Sequence, residues 1–226
     1  MPGSTSVRPT RKVLIVDDHA IVRRGLVELI EGEPSLDDCH VCGEAEGVSD
    51  ALQKVEKEEP ELLIVDITLQ DGNGLELIKQ VKASYPSVKM LVSSMHDESL
   101  YSERALRAGA LGFIGKHEDT AKLIEAIRRV LSGKVYLSQK MTEHMLQSVS
   151  DPEQENGQST IQQLSDRELE VFEMIGQGLT TRQIAQRLTL SIKTIETHRE
   201  SIKKKLNLSS GTELTRRAVQ WVLEQE

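Results

Sequence analysis

The chain has 226 residues, with 28 Lys and Arg against 36 Asp and Glu and only 3% aromatic side chains. That length accommodates two ordinary domains, each able to bury a core, and the scarcity of aromatics excludes a stacking platform for single-stranded nucleic acid. A formal charge of -8 would also argue against a nucleic-acid partner if it were spread evenly, but residues 181–206 hold seven basic side chains and two acidic ones, so an acidic body carries a short basic segment.

No apolar stretch approaches the roughly 20 residues that span a bilayer, and the opening MPGSTSVRPTRK has no apolar signal core. The expectation is a cytoplasmic protein with no membrane partner. Residues 12–16 read as a buried strand and 20–31 as a helix with Ile21, Val22, Leu26, Leu29 and Ile30 on one face. A weaker strand at 39–43 holds Cys39 and Cys42, whose spacing suggests a redox pair or half a zinc site. Residues three apart in a strand point to opposite faces, and no second Cys/His set completes a zinc shell, so ordinary half-buried cysteines are expected. Helix 49–59, strand 62–65, helix 75–83, strand 88–93, helix 99–108, strand 111–115 and helix 120–131 follow. Apolar strands alternating with amphipathic helices indicate a doubly wound α/β domain, a five-stranded parallel sheet covered on both faces.

In such a sheet all carboxyl ends lie on one edge, where ligands bind. The first strand runs into Asp17-Asp18, the third into Asp66, the fourth ends in Ser93-Ser94, and Lys116 follows the fifth. Three carboxylates, a hydroxyl and an ammonium therefore converge. A cluster of carboxylates is a hard oxygen site suited to Mg²⁺ sharing its shell with water and phosphate, and a carboxylate held there can attack phosphorus to form an aspartyl phosphate. Asp17 and Asp18 could instead cap the next helix, but capping does not explain two adjacent acids opposite a third. Asp71, ahead of Gly72-Asn73-Gly74, reads as turn chemistry.

The ordered set Asp17-Asp18-His19, Asp66 with Gly74 eight residues on, Ser94-Met95-His96-Asp97 and Gly112-Phe113-Ile114-Gly115-Lys116 resembles the receiver domain of two-component response regulators. The resemblance implies a flavodoxin-like fold in which Asp66 is the phosphoacceptor and Asp17, Asp18, Asp66 and the backbone carbonyl of Thr68 bind Mg²⁺. It implies that Ser94, rather than Ser93, and Lys116 hold the phosphoryl oxygens, and that Ser94 and Phe113 form the switch. Where most receivers have Met-Pro, this chain has Leu69-Gln70; losing Pro frees φ and restores an N–H, so a less rigid loop is expected. His117 replaces another common Pro, and no cis peptide is expected there. A haloacid-dehalogenase-type phosphohydrolase is a rival, but that chemistry needs a second Asp where Thr68 stands.

Residues 138–149 are weakly helical, and the polar stretch SVSDPEQENGQST reads as a linker. Ser165 with Glu168 forms a capping box; Gly176 and Gly178 end that helix, Thr180 caps the next, and residues 189–191 turn into a longer helix reaching Leu206. Two short helices joined by a tight turn are a helix-turn-helix. In the long helix Ile192, Ile195, Ile202 and Leu206 are expected to pack inward, leaving Lys193, Glu196, Thr197, Glu200 and Lys204 on a polar face. Such a face can enter a major groove, with Glu accepting from cytosine and Thr touching a thymine methyl, while Lys193, Arg199, Lys203, Lys204 and Lys205 would contact phosphates.

GLTTRQIAQRL and TIETHRESIKKKL resemble the all-α four-helix DNA-binding domain of the LuxR type, and the two domains in this order look like a NarL/FixJ-type response regulator. The implied organisation is a receiver at 11–134, a connecting helix and linker at 135–160 and a LuxR-type domain at 161–226. Implied DNA contacts are Lys193, Thr194, Glu196, Thr197, His198, Arg199, Glu200, Lys203 and Lys204, with Glu200 less usual at its position. Implied partners are double-stranded DNA, a cognate histidine kinase and, through the helix at 212–222, a second copy of the chain. The alternative is a DNA-binding regulator whose receiver serves only for dimerisation.

Overall fold

The computed structural model describes residues 10–143 and 159–224, and the chain divides into two compact units, residues 1–138 and 139–226. In the first unit β1 (Arg11–Val16), β2 (Cys39–Ala45), β3 (Leu62–Val65), β6 (Lys89–Ser94) and β7 (Gly112–Gly115) form one sheet in the order β2-β1-β3-β6-β7. Every pairing in it is parallel. The helices α1 (Ala20–Gly32), α2 (Val48–Glu58), α3 (Gly74–Ser84) and α4 (Glu98–Ala108) connect the strands, and α5 (Thr120–Leu131) follows the last of them. The expected doubly wound α/β fold is therefore present, with β1, β3, β6 and β7 largely buried because both sheet faces are covered and the edge strand β2 half-exposed.

Alternation along each strand assigns residues to faces. Val13, Ile15, Leu62, Ile64, Leu91 and Ile114 pack with Leu26 and Ile30 of α1 and Ile127 and Val130 of α5. The intervening residues, among them Val92, Ser94 and Phe113, face the other layer and are buried as well. Ser93 and Ser94 thus lie on opposite faces, Ser93 beside Val22, Leu26, Ile114 and Leu123.

Three local departures from the sequence reading have physical causes. Ile21 is 80% exposed whereas Arg23 is buried, because Arg23 finds acceptors in the Asp17 carbonyl and the carboxylates of Glu44 and Glu46. A bulge after Val41 drops Cys42 out of the β1–β2 register, its thiol donating to the Val13 carbonyl at 3.4 Å. A two-stranded antiparallel ribbon, β4 (Thr68–Leu69) and β5 (Gly72–Asn73), follows Asp66; strands of two residues carry no side-chain period to read.

In the second unit α6 (Ser159–Gln162), α7 (Asp166–Gly176), α8 (Thr181–Arg187), α9 (Ile192–Lys205) and α10 (Gly211–Leu223) follow one another. The expected capping box at Ser165 and Glu168 is formed, and Thr180 forms a second one with Gln183. Phe172, Ile184, Ile195, Ile202, Leu214 and Trp221 are buried. Ile192, expected inside, is 47% exposed, being the first residue of α9 directly after the exposed N-cap Ser191. Residues 139–143 are helical; the rest of the weakly helical segment and the linker up to residue 158 lie outside the described residues.

Candidate functional site

Asp17 and Asp66 each follow the last residue of a strand, on neighbours β1 and β3, and each is buried. Lys116 follows β7, and its ammonium reaches between them, 2.6 Å from Asp17 Oδ2 and 2.6 Å from Asp66 Oδ2. The other oxygens are held by the backbone, as the His19 amide donates to Asp17 Oδ1 at 2.9 Å and the Ile67 amide to Asp66 Oδ1 at 2.7 Å. The reading of Asp17 and Asp18 as caps of α1 fails, because the N-cap is His19 and its side chain makes no capping bond.

Two carboxylates and one ammonium leave the pocket short of positive charge, and Asp18 adds a third acid. Burial alone would lower the Lys116 pKa, but the charge of Asp66 and the bonds to Asp17 and Asp66 outweigh it and raise the value. Asp18 Oδ1 is buried and makes no hydrogen bond; His19 Nδ1 approaches it to 2.7 Å without hydrogen-bond geometry. Ligand atoms of Asp17, Asp18, His19 and Asp66 all lie within 4.8 Å of one another. A mostly carboxylate donor set with one unsatisfied buried oxygen is compatible with Mg²⁺. His19 was not expected in this group; its place directly after the acidic pair was the available signal.

Ser94 and Phe113 are fully buried on one face of adjacent strands. Ser94 Oγ accepts from the His96 amide at 3.4 Å, and the Ser94 carbonyl accepts from the Lys116 amide at 2.8 Å. The hydroxyl and the ammonium-bearing residue are therefore joined through backbone. Thr68 Oγ1 lies 3.0 Å from His96 Nε2, and the His96 ring packs on Tyr101 at 4.6 Å between centroids.

Asp71 does more than make a turn. Its carboxylate accepts from the amides of Val48 and Ser49, the second at 3.1 Å. Burial would raise its pKa, yet these bonds outweigh that and lower it. The two cysteines are free. Cys39 is pushed up to about 11, chiefly by burial, and Cys42 is also raised, so neither is a ready thiolate.

In the second unit α9 exposes Lys193, Glu196, Thr197, Glu200 and Lys204, while Thr194, His198 and Arg199 are half-buried. Thr194 Oγ1 is 2.7 Å from Ser191 Oγ in the N-cap, and Thr197 Oγ1 donates to the Lys193 carbonyl at 3.0 Å. The basic run is divided. Lys203 pairs with Glu200 at 2.8 Å and Lys205 with Glu168 at 2.6 Å, which leaves Lys204 as the lysine of the three with no ion pair among the described residues.

An α/β domain with an acidic pocket at the carboxyl edge of its sheet, joined in sequence to a helix-turn-helix, defines a DNA-binding transcription regulator with a receiver. Comparison with known proteins agrees. Residues 13–128 match the family model "Response regulator receiver domain" and residues 162–218 match "Bacterial regulatory proteins, luxR family". The chain is 35% identical over 212 residues to the oxygen regulatory protein NreC of Staphylococcus carnosus, covering 92% of this chain and 96% of that protein. It is 38% identical over 209 residues to the transcriptional activator protein ExaE of Pseudomonas putida, covering 92% and 95%. A solved structure of RcsB from Salmonella enterica serovar Typhimurium, bound to promoter rprA in the presence of the phosphomimetic BeF3-, matches with a TM-score of 0.63 at 26% identity, covering 92% and 97%. The chain belongs to the response regulators that join a receiver domain to a LuxR-family DNA-binding domain.

Proposed function

We propose that Asp66 accepts a phosphoryl group from a histidine kinase and that this controls sequence-specific DNA binding by α9. The observation that carries the reading is Lys116 bridging buried Asp17 and Asp66, 2.6 Å from each, at the sheet's carboxyl edge. An Asp66 oxygen attacks phosphorus, the bond from phosphorus to the donor's imidazole nitrogen breaks, and that nitrogen keeps the electron pair. Asp17, Asp18, Asp66 and the Thr68 carbonyl would hold Mg²⁺, which supplies charge neutralisation for the oxygens around phosphorus. Lys116 and Ser94 then bind the transferred oxygens, and Phe113, on the Ser94 face, reports the change to the α4 layer.

On the DNA side, Glu196, Thr197 and Glu200 face base edges, and Lys193, Arg199 and Lys204 face phosphates, with Lys203 a contributor once it leaves Glu200. Thr194 and His198 border this face. The domains proposed are 11–134, 135–160 and 161–226, acting in the cytoplasm as a dimer whose copies meet through α10. That assignment follows the exposure of Val219 and Leu223 on this helix. Asp66→Asn is expected to abolish labelling by acetyl phosphate, and full labelling of that variant would refute the acceptor assignment. DNA affinity at fixed salt is expected to rise on phosphorylation; an unchanged affinity would favour the receiver as a dimerisation module alone.

A further inference from the structure

We propose that Asp71 is a positioning residue for the phosphoryl chemistry at Asp66, acting as a cap that α2 borrows from the acceptor loop. The inference rests on Asp66 being the acceptor. The N-cap of helix α2 is Gly47, which offers no side chain to the first amides of the helix. Asp71 supplies the missing acceptor from 23 residues away, taking the amides of Val48 and Ser49. A Cβ on Gly47 would collide with the Asp71 carboxylate, and one on Gly72 would lie 2.8 Å from Val48 Cγ2, so glycine at both places permits the approach.

The hairpin needs such an anchor. Thr68 pairs with Asn73 and Leu69 with Gly72 around Gln70-Asp71, yet neither turn residue has positive φ, so the turn is not one of the primed types whose twist suits a two-residue hairpin. At its base the hairpin is held at Asp66 and α3. The Gly74 amide donates to the Ile67 carbonyl at 2.7 Å, and Asn73 caps α3 through the Leu75 amide at 2.8 Å. At its tip the side-chain bonds are those of Asp71, beside a long Gln70 amide contact to the Glu46 carbonyl at 3.4 Å. The other half of the pocket leans on the same α2 approach, because Glu46 binds Arg23 at 2.6 Å and Arg23 donates to the Asp17 carbonyl at 2.8 Å. Asp71 thus closes a loop of contacts that runs from Asp17 through Arg23, Glu46 and α2 to Thr68 and Asp66. With Gln70 where a ring would have fixed φ, this carboxylate anchors the tip of the hairpin whose base carries Thr68, the Thr68 side chain itself lying 3.0 Å from His96 Nε2.

The consequence falls on hydrolysis of the aspartyl phosphate, in which water attacks phosphorus, the bond to the Asp66 oxygen breaks, and inorganic phosphate and the free carboxylate are released with a proton to solvent. The full chain is labelled with acetyl phosphate in Mg²⁺, desalted, and the decay of label followed for wild type, Asp71→Ala, Asp71→Asn, Gly47→Ala and the Asp71→Ala/Gly47→Ala pair. Asp71→Ala is expected to change the half-life at least threefold and weaken Mg²⁺ binding, measured by calorimetry, by a similar factor. Asp71→Asn, which keeps one acceptor oxygen, is expected to restore at least half of each effect. The double variant should match the single ones, since both break one contact. A wild-type half-life and Mg²⁺ affinity in Asp71→Ala would overturn the proposal, as would additive effects in the pair. No label on wild type would instead refute Asp66 as acceptor.

Discussion

Glu168 is where the capping of one helix and the seating of another meet, and its removal should be costly in a way that depends on pH. The side chain reaches back to the Ser165 amide at 2.7 Å, accepts from Ser201 Oγ, and pairs with Lys205 Nζ at 2.6 Å, the last two on α9. Burial would raise its pKa, but the bonds from Lys205, Ser201 and Ser165 outweigh it and lower the value from 4.5 to about 2. That difference corresponds to about 3 kcal/mol of folded-state preference for the carboxylate. Lys205 is 37% exposed at its side chain and can turn to water, so the net loss for Glu168→Gln should be nearer ~2 kcal/mol.

The pH dependence follows from the sign of the shift. A carboxylate with a depressed folded pKa contributes its full stability above the unfolded value of 4.5 and loses it as pH falls toward about 2. Trp221 is the chain's one tryptophan and packs on Phe172 at 5.7 Å, so its fluorescence reports the second unit alone. Urea titrations of wild type and Glu168→Gln, followed at Trp221, should differ by ~2 kcal/mol at pH 7 and converge toward pH 2. A gap below about 0.5 kcal/mol at pH 7, within ordinary surface-substitution scatter, or a gap that stays constant with pH, would refute the reasoning.

Lys116→Met should leave Asp17 and Asp66 uncompensated and destabilise the receiver by about 3–5 kcal/mol, with millimolar Mg²⁺ recovering part of the loss; circular dichroism during urea unfolding measures both. Lys204→Ala should lower the slope of log affinity against log salt by about 0.9 per DNA-bound copy while leaving the Trp221 unfolding midpoint alone. Lys205→Ala should do the reverse, lowering the midpoint with little change in salt slope, since its ammonium is committed to Glu168.

The features legible in the sequence were those with a period or an ordered spacing. Apolar runs ending at Asp17, Asp66, Ser94 and Lys116 placed these residues at one sheet edge because a parallel sheet leaves them no other place. What escaped depended on partners far away in sequence. Nothing near Arg23 in the sequence marks it as buried, and it is buried because three acceptors from the ends of β1 and β2 meet it there. Lys203 and Lys205 looked like phosphate contacts within a basic run. Spacing alone gives the first its i,i+3 acid, but nothing local reveals that the second is held by a glutamate 37 residues earlier. Asp71 was read from its glycine neighbours as a turn, although its two acceptor bonds go to a helix that the turn does not contain.

Lys116 also constrains how the proposed switch can work. Its ammonium is shared between two carboxylates, while its amide is fixed to the Ser94 carbonyl at 2.8 Å and Gly115 is paired with Ser94 across β6 and β7. A phosphoryl group on Asp66 adds oxygens that compete with Asp17 for the same three N–H donors, so the side chain must give up at least part of one bridge. The backbone lock means that Ser94 and Lys116 answer together. Phe113, three residues before Lys116 and on the same face as Ser94, has no exposed surface to absorb the movement. On the proposed mechanism a shift at the pocket would be taken up by repacking in the α4 layer, because a close-packed interior deforms by exchanging one arrangement for another.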